Sequence, residues 1–500
     1  MQFTTIQFIL FFTVASFVYY VSKPTWRWVV LLIASIYFYA QLDAPHLLVA
    51  LALVTIISYF LGLKLNNLPI ESSKRKLVLW IGILLNLSVM AVVRYLPSIV
   101  NSFQADLISQ LKTPNLMVTI GVSFFVFHAI SYLIDIYYAR NPAEFHFGYF
   151  SLYLSFFPKL LQGPIERGSK LIPQLRNPQT LNDEIIRSAL LLFAWGLFKK
   201  VVVADRLGMM VDIVYDDLPS FTGFTLRLAT LLYAIQIYCD FSGYTDMALS
   251  IARLLGINLS NNFNRPYLAV SIVDFWRRWH ITFSNWIFDY IFNPIQMNLR
   301  RWKTWANPIA LLVTFFLSGI WHGANWTFVV WGLLHGIYMA TFVLFTPYRK
   351  KFLKRFRLEN SVFIRIIQSG MTFILVSFAW IFFRANTLAD AVYVVRYIFI
   401  DLDTVPRLLM MFMQGKAILD EGLVHESIGL FNIPFREYYL AGLGLMILMI
   451  VELPKNLSTS RLGVAFHRHT VIRWATYLLL VLAIFGLAAT GQTEFIYFQF

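Results

Sequence analysis

The sequence predicts an all-α, polytopic helical membrane protein, and three observations carry that expectation. Hydrophobic residues make up 58% of the 500 positions and aromatic residues 17%. Charged residues are 13%, about half the roughly 25% of an ordinary soluble domain. Apolar runs recur along nearly the whole chain, whereas a membrane barrel would show alternating segments of about ten residues. The net charge of +15 would point to nucleic acid in a soluble protein. Here it reads as loops obeying the positive-inside rule, so the bilayer is the expected partner and nucleic acid is not.

Twelve stretches are candidate spans: 3–21, 27–41, 46–63, 77–93, 116–137, 186–203, 222–241, 308–321, 326–346, 362–383, 437–452 and 473–490. About 20 apolar residues cross the hydrocarbon core, so the shorter stretches are the weaker candidates. The first run has no basic leader and no clear small-residue cleavage site, and reads as a retained helix. Three basic loops set the orientation: Lys64 with Lys74, Arg75 and Lys76; Arg349, Lys350, Lys351, Lys354, Arg355 and Arg357; and Lys455, Arg461, Arg468 and Arg473. If all three are cytoplasmic, both termini lie outside, as do the loop with Asp212, Asp216 and Asp217 and the acidic segment 401–437.

One stretch does not fit the count. Residues 148–163 lie between apparently cytoplasmic basic residues, Arg140 on one side and Arg167 and Lys170 on the other. A re-entrant hairpin accounts for them, since irregular backbone is tolerated at membrane depth when protein buries it. The alternative is a helix lying on the membrane surface. Residues 253–305 form the longest cytoplasmic region. Placed on one helix, Phe275, Trp276, Trp279, Phe283, Trp286, Ile287 and Tyr290 share a face, opposite Asp274, Arg277, Arg278, Asn285 and Asp289. This predicts an amphipathic helix for an interface or a groove. His280 lies on its border, either as an interfacial histidine or as a group reaching into a cavity. Segment 384–436 reads as non-spanning surface helices outside, either an inert cap or a docking site.

The most unusual stretch is Ser318-Gly319-Ile320-Trp321-His322-Gly323-Ala324-Asn325-Trp326, at the turn of an apolar hairpin. Ionisable groups in a bilayer are costly and face a cavity or a partner. The first arm, Pro308 to Trp321, has fourteen residues. At ~1.5 Å per residue it spans about 21 Å, short of the ~30 Å core, which sinks His322 below the outer surface. Gly319 and Gly323 admit a ligand or another backbone, and Trp321 and Trp326 can wall a passage. An imidazole suits general-base work near neutrality. It could take the proton of a hydroxyl as that oxygen attacks a thioester carbonyl. Neither a Gly-x-Ser-x-Gly elbow nor a cysteine near the turn offers a covalent nucleophile. The other reading is a hydrogen-bonded interior histidine. His335, on the return arm, supports the site or serves helix packing. His46, His128, His146, His425, His467 and His469 lie in loops or isolated contexts and receive no chemistry. The single cysteine, Cys239, excludes an internal disulfide and a cysteine cluster. Without metal-ligand spacing, no metal and no tightly bound cofactor are expected.

Six motifs together resemble the membrane-bound O-acyltransferase (MBOAT) superfamily, in its bacterial branch of polysaccharide O-acetylation proteins. They are Phe157-Pro158-Lys159 with Gly163-Pro164-Ile165, Tyr238-Cys239-Asp240-Phe241-Ser242-Gly243-Tyr244-Thr245-Asp246-Met247, Asn264-Arg265-Pro266-Tyr267, Phe275-Trp276-Arg277-Arg278-Trp279-His280, Gly319-Ile320-Trp321-His322-Gly323 and Trp380-Ile381-Phe382-Phe383-Arg384-Ala385. The resemblance implies one membrane domain over 1–500: N-terminal helices (1–147), a catalytic core (148–383) around a central tunnel, an outside segment (384–436), and C-terminal helices with a tail (437–500). It implies His322 as the catalytic base and His280 as a second site residue. Trp321, Asn325, Asp240, Asp246, Arg277, Arg278 and His335 are expected to line or support the tunnel, the aspartates facing the cavity or pairing with arginine.

The resemblance further implies an acyl thioester, acetyl-CoA or an acyl carrier, as cytoplasmic donor and a polysaccharide outside as final acceptor. Alginate-like exopolysaccharide, peptidoglycan and cellulose are all compatible. The bacterial inner membrane is the implied location. The tail Glu494-Phe495-Ile496-Tyr497-Phe498-Gln499-Phe500 is similar to the tyrosine-containing tail of the accessory protein in the related D-alanylation system. That makes Tyr497 a candidate acyl acceptor, handing the group to a secreted or periplasmic SGNH-type acyltransferase; the alternative is an aromatic interfacial belt. Two other functions compete: a transporter with a histidine proton relay, and acylation of lipid or protein.

Overall fold

The computed structural model describes residues 1–103, 119–323, 325–400, 402, 434–452, 469–489 and 495–496, and among them every regular element is helical. The α-helices are α1 (Ile6–Val21), α2 (Arg27–Ala40), α3 (Pro45–Asn67), α4 (Ser73–Phe103), α5 (Val122–Tyr137), α6 (Phe147–Ser155), α7 (Phe157–Leu160), α8 (Gly168–Arg176), α9 (Asp183–Phe198), α10 (Asp205–Asp216), α11 (Gly223–Leu254), α12 (Ile272–Trp276), α13 (Ile281–Ile287), α14 (Asn293–Asn298), α15 (Ala306–His322), α16 (Trp326–Arg355), α17 (Val362–Arg384), α18 (Leu388–Tyr397), α19 (Phe435–Glu452) and α20 (Thr470–Leu487). Each of the twelve apolar stretches falls on a helix. Among the described residues six are long and apolar enough to cross a membrane: Pro45–Asn67, Ser73–Arg94, Arg300–His322, Trp326–Arg355, Val362–Arg384 and Thr470–Leu487. The remaining six are short, as α2 is with 14 residues, or carry ionisable groups, as α11 does with Arg227, Asp240, Asp246 and Arg253. The chain is a multi-pass helical membrane protein.

The helices form two compact units, interleaved in sequence. The first comprises residues 1–194 and 244–262. Its helices meet at small residues: a Cβ on Gly62 would lie 2.8 Å from the Tyr132 ring, and one on Gly82 would lie 2.7 Å from Leu133. Close approach through glycine is how helices gain contact where lipid supplies no hydrophobic drive. Arg75 is buried, and its guanidinium donates to the carbonyls of Leu68 (2.8 Å), Ile136 and Tyr137 (3.1 Å). It therefore satisfies the free carbonyls at the end of α5 and is not a solvated loop charge. His128 is neither in a loop nor isolated. It sits buried within α5, its Nδ1 2.6 Å from the Phe124 carbonyl and its Nε2 accepting from the Glu166 amide at 3.0 Å.

Stretch 148–163 breaks at Phe156 between α6 and α7, and every residue from 152 to 166 is buried. Protein covers the break on every side. The second unit comprises residues 195–243 and 263–499. Of the segment 384–436, α18 is a helix with a capping box at Thr387 and Asp390; its acidic part, 403–433, lies outside the described residues.

Candidate active site

The site belongs to the second unit and is built on the α15–α16 hairpin. The facing backbones touch at glycines. A Cβ on Gly319 would lie 2.5 Å from the Phe328 carbonyl oxygen, and one on Gly332 would lie 2.3 Å from that of Phe315. Gly336, four residues on, meets the Leu312 Cα at 3.2 Å. Gly319 thus makes room for a backbone, and Gly323 for the Phe328 ring at 2.3 Å. The first arm is also longer than its apolar stretch suggests. Helix α15 has 17 residues, about 26 Å at 1.5 Å per residue, which nearly spans the core. Depth therefore does less to hide His322 than the sequence implied.

Aromatic rings hide it instead. His322 ends α15 and is 6% exposed. Its ring lies 4.4 Å from Trp321, 4.8 Å from Trp331, 5.2 Å from Phe383 and 6.1 Å from Phe283, in edge-to-face arrangements. Edge-to-face packing lets the positive rim of one ring meet the negative face of another. Trp326 takes no part in this wall, being 70% exposed on the first turn of α16. Asn325 caps that helix: its Oδ1 accepts from the Thr327 amide at 3.2 Å, and its Nδ2 donates to the Asn386 carbonyl.

His280 shares one of these rings, Phe283. Its ring lies 5.0 Å from Phe283 and 4.8 Å from Phe241, so Phe283 touches both imidazoles. The single helix expected over 274–290 is not formed. Helix α12 ends at Trp276, and His280, with φ 43° and ψ 53° in the left-handed region, stands at the N-terminus of α13. The break is held on both sides, by the Asn264 amide donating to the Arg278 carbonyl and the Ser284 amide donating to that of His280, each at 2.9 Å. Strained backbone of this kind persists where surrounding structure over-determines it. The predicted division of side chains survives the break in part: Phe275, Trp276, Trp279, Phe283, Trp286 and Ile287 are buried and Arg277 and Asn285 exposed, while Asp274, Arg278, Asp289 and Tyr290 are all half-buried. These residues form a core layer and not a membrane-surface face. Burial pulls the His280 imidazole down to about 3, so it is neutral near pH 7.

His335 completes the group. The Trp276 Nε1–H donates to its Nδ1 at 3.3 Å, which places its own proton on Nε2. Trp331 packs 5.0 Å from it and 5.8 Å from Trp380. Trp331, Trp380, Phe383 and Phe283 line the site without having been singled out as site residues, because an aromatic residue in an apolar helix looks like any other packing residue.

The other expected residues separate. Arg277 points outward, and Arg278 pairs with Asp274 at 2.9 Å. Asp246 belongs to the first unit and is half-buried. Asp240 is buried and pairs with a lysine, not an arginine: Lys200 Nζ lies 2.6 Å from its Oδ1 and 2.8 Å from Asp205 Oδ1. Two opposite charges in separate apolar stretches were the available signal for this pair, but Lys199-Lys200 reads naturally as the charged end of a span. Arg384 pairs with Asp212 at 2.7 Å. Tyr497 lies outside the described residues. Among the described residues, no three histidine, cysteine or acidic side chains group as a metal site.

A cluster of three imidazoles in an aromatic wall suits proton transfer with water excluded. Comparison with known proteins gives the family. The sequence model of "MBOAT, membrane-bound O-acyltransferase family" matches residues 29–383. The chain is similar to the peptidoglycan O-acetyltransferase of Helicobacter pylori, 33% identical over 75% of this chain and 74% of the relative. It is similar to the protein named probable alginate O-acetylase AlgI of Azotobacter vinelandii, 34% identical over 74% of this chain and 72% of that one. The protein of the same name from Pseudomonas putida is 30% identical over 98% of both chains. The chain belongs to the membrane-bound O-acyltransferase family and is an acyltransferase of the membrane.

Proposed function

We propose that the chain moves an acetyl group from a cytoplasmic thioester, acetyl-CoA or an acyl carrier, across the bacterial inner membrane for O-acetylation of an extracytoplasmic polysaccharide, alginate-like exopolysaccharide first. The observation that supports this most is the Phe283 ring in contact with both His280 and His322. Two imidazoles on one ring give a base and a second polar group at a single buried point, which a hydroxyl and a thioester carbonyl could enter together. His322 takes the hydroxyl proton as the oxygen attacks. The thiolate leaves and is protonated, and the acetyl group passes to the oxygen. His280, neutral, holds the carbonyl or the acceptor. Tyr497 receives the group first in this reading and passes it to an SGNH-type partner outside. The burial of the preceding residues, Phe495 and Ile496, supports a tail folded into the protein.

A second acceptor, peptidoglycan, is favoured by the Helicobacter pylori relative. One experiment separates the two. In a strain lacking this protein, the parent chain and the His322→Ala variant are each restored, and ester-linked acetate is measured on exopolysaccharide and on peptidoglycan. The parent restores acetate to one of them and the variant to neither. Full acetylation by His322→Ala ends the proposal; acetate on peptidoglycan alone moves the acceptor. A transporter with a proton relay would leave no ester product in either strain.

A further inference from the structure

The Lys200–Asp240 pair has no role in the chemistry above, yet it is among the costliest features of the fold. Both side chains are about 1% exposed. A buried ion pair is no more stabilising than well-packed apolar residues, so its retention calls for a specific use. The geometry provides one. Asp240 divides its two oxygens: Oδ1 takes the Lys200 ammonium at 2.6 Å, and Oδ2 accepts the Ile496 backbone N–H at 2.8 Å. Lys200 Nζ lies 4.3 Å from the centre of the Phe495 ring, a cation–π contact in a site closed to water.

The same segment also grips the chain just before the tail. The Ala489 amide donates to the Val201 carbonyl at 2.9 Å. Arg206 Nη2 donates to the carbonyls of Leu487 (2.6 Å) and Ala488 (3.2 Å). Residues 200–206 therefore hold the C-terminal region on both sides of residues 490–494. Lys200 and Val201 lie in a π-helical turn, Lys199–Ala204, a widened turn that recurs at functional sites.

We infer that Asp240, held by Lys200, is the anchor of the C-terminal tail, binding it through a backbone N–H and so fixing its register. The anchor positions the residues after Ile496 for acyl transfer; this second half rests on the role proposed for Tyr497, and the first does not. Backbone capture explains why a carboxylate is present, since a buried amide needs an acceptor and a charged acceptor binds about twice as strongly as a neutral one.

Ile496→Pro tests this directly, because it removes the N–H donor and leaves every side chain of the anchor intact. Asp240→Asn weakens the acceptor. In the full chain purified in detergent, carboxypeptidase trimming of the C-terminus is followed by intact mass. Each variant is expected to raise the trimming rate about tenfold. The double variant trims no faster than either single one, and Ile496→Val, which keeps the N–H, behaves like the parent. If Asp240→Asn does not fold, Ile496→Pro carries the test alone. Parent-like trimming of Ile496→Pro overturns the anchor. For the second half, Ile496→Pro lowers the maximal rate of acyl transfer and leaves the half-saturating donor concentration unchanged. Faster trimming with parent-like transfer overturns the positioning role. Full transfer by Tyr497→Phe would instead remove the carrier reading and leave the anchor standing.

Discussion

Two regions of the second unit place polar groups in apolar surroundings, and they do so in opposite ways. Around His322, His280 and His335 the neighbours are rings, and Trp276 supplies a neutral hydrogen bond. Around Asp240 the neighbours are charges and a backbone amide, joined at 2.6–2.8 Å. Aromatic walls exclude water yet leave an imidazole able to gain and lose a proton. A closed ionic cluster commits its groups to one another. The first arrangement suits chemistry, the second suits holding a segment in place.

Breaking the ionic cluster has the largest expected effect on the fold. Asp240→Ala takes one of two carboxylates from the buried Lys200 ammonium, and a broken buried pair costs about 3–5 kcal/mol. The melting temperature in detergent falls steeply. If Asp240→Ala were as stable as the parent, the structural half of the comparison would fail. Next comes Gly332→Ala, which forces a methyl against the Phe315 carbonyl. It costs ~1–3 kcal/mol by overpacking, and activity falls with it because the hairpin carries His322.

Trp276→Phe is milder. It keeps an aromatic ring, a smaller one, but strips the donor to His335, worth about 1 kcal/mol; a several-fold loss of transfer with only a modest loss of stability sharpens the view of His335 as a supporting residue. The effect that is smallest at neutral pH, because it develops only in acid, is the titration of His280. His280 is lowered by burial to about 3, against an ordinary value of about 6.5. Its contribution is present above the unfolded value and is lost as pH falls from about 6.5 towards 3. His280→Gln flattens that part of the stability profile, and an unchanged slope would show that His280 is not buried neutral.

Much of this was legible in the sequence. Apolar runs located twelve helices because lipid leaves a helix no alternative for its backbone. The odd placement of His322 between tryptophans marked the hairpin, since an ionisable group there needs a reason. What escaped detection was set by single dihedrals and by long-range pairing. Side-chain periodicity over 274–290 picked out the buried apolar residues from Phe275 to Ile287, but it could not reveal that His280 turns left-handed and breaks the helix. Trp326 looked like a wall of the site and points outward, because its position on the first turn of α16 depends on the cap at Asn325. The partner of Asp240 was 40 residues away in sequence, and no local pattern announces such a pair.

The central claim is that His322 accepts the hydroxyl proton during acyl transfer. It is tested most directly by the purified chain in proteoliposomes, measuring donor thioester consumed and ester formed, with His322→Ala beside the parent. The account predicts a fall in transfer of about 10²–10⁴-fold, with the melting temperature and tail protection of the parent retained. Transfer at the parental rate by that folded variant would contradict it.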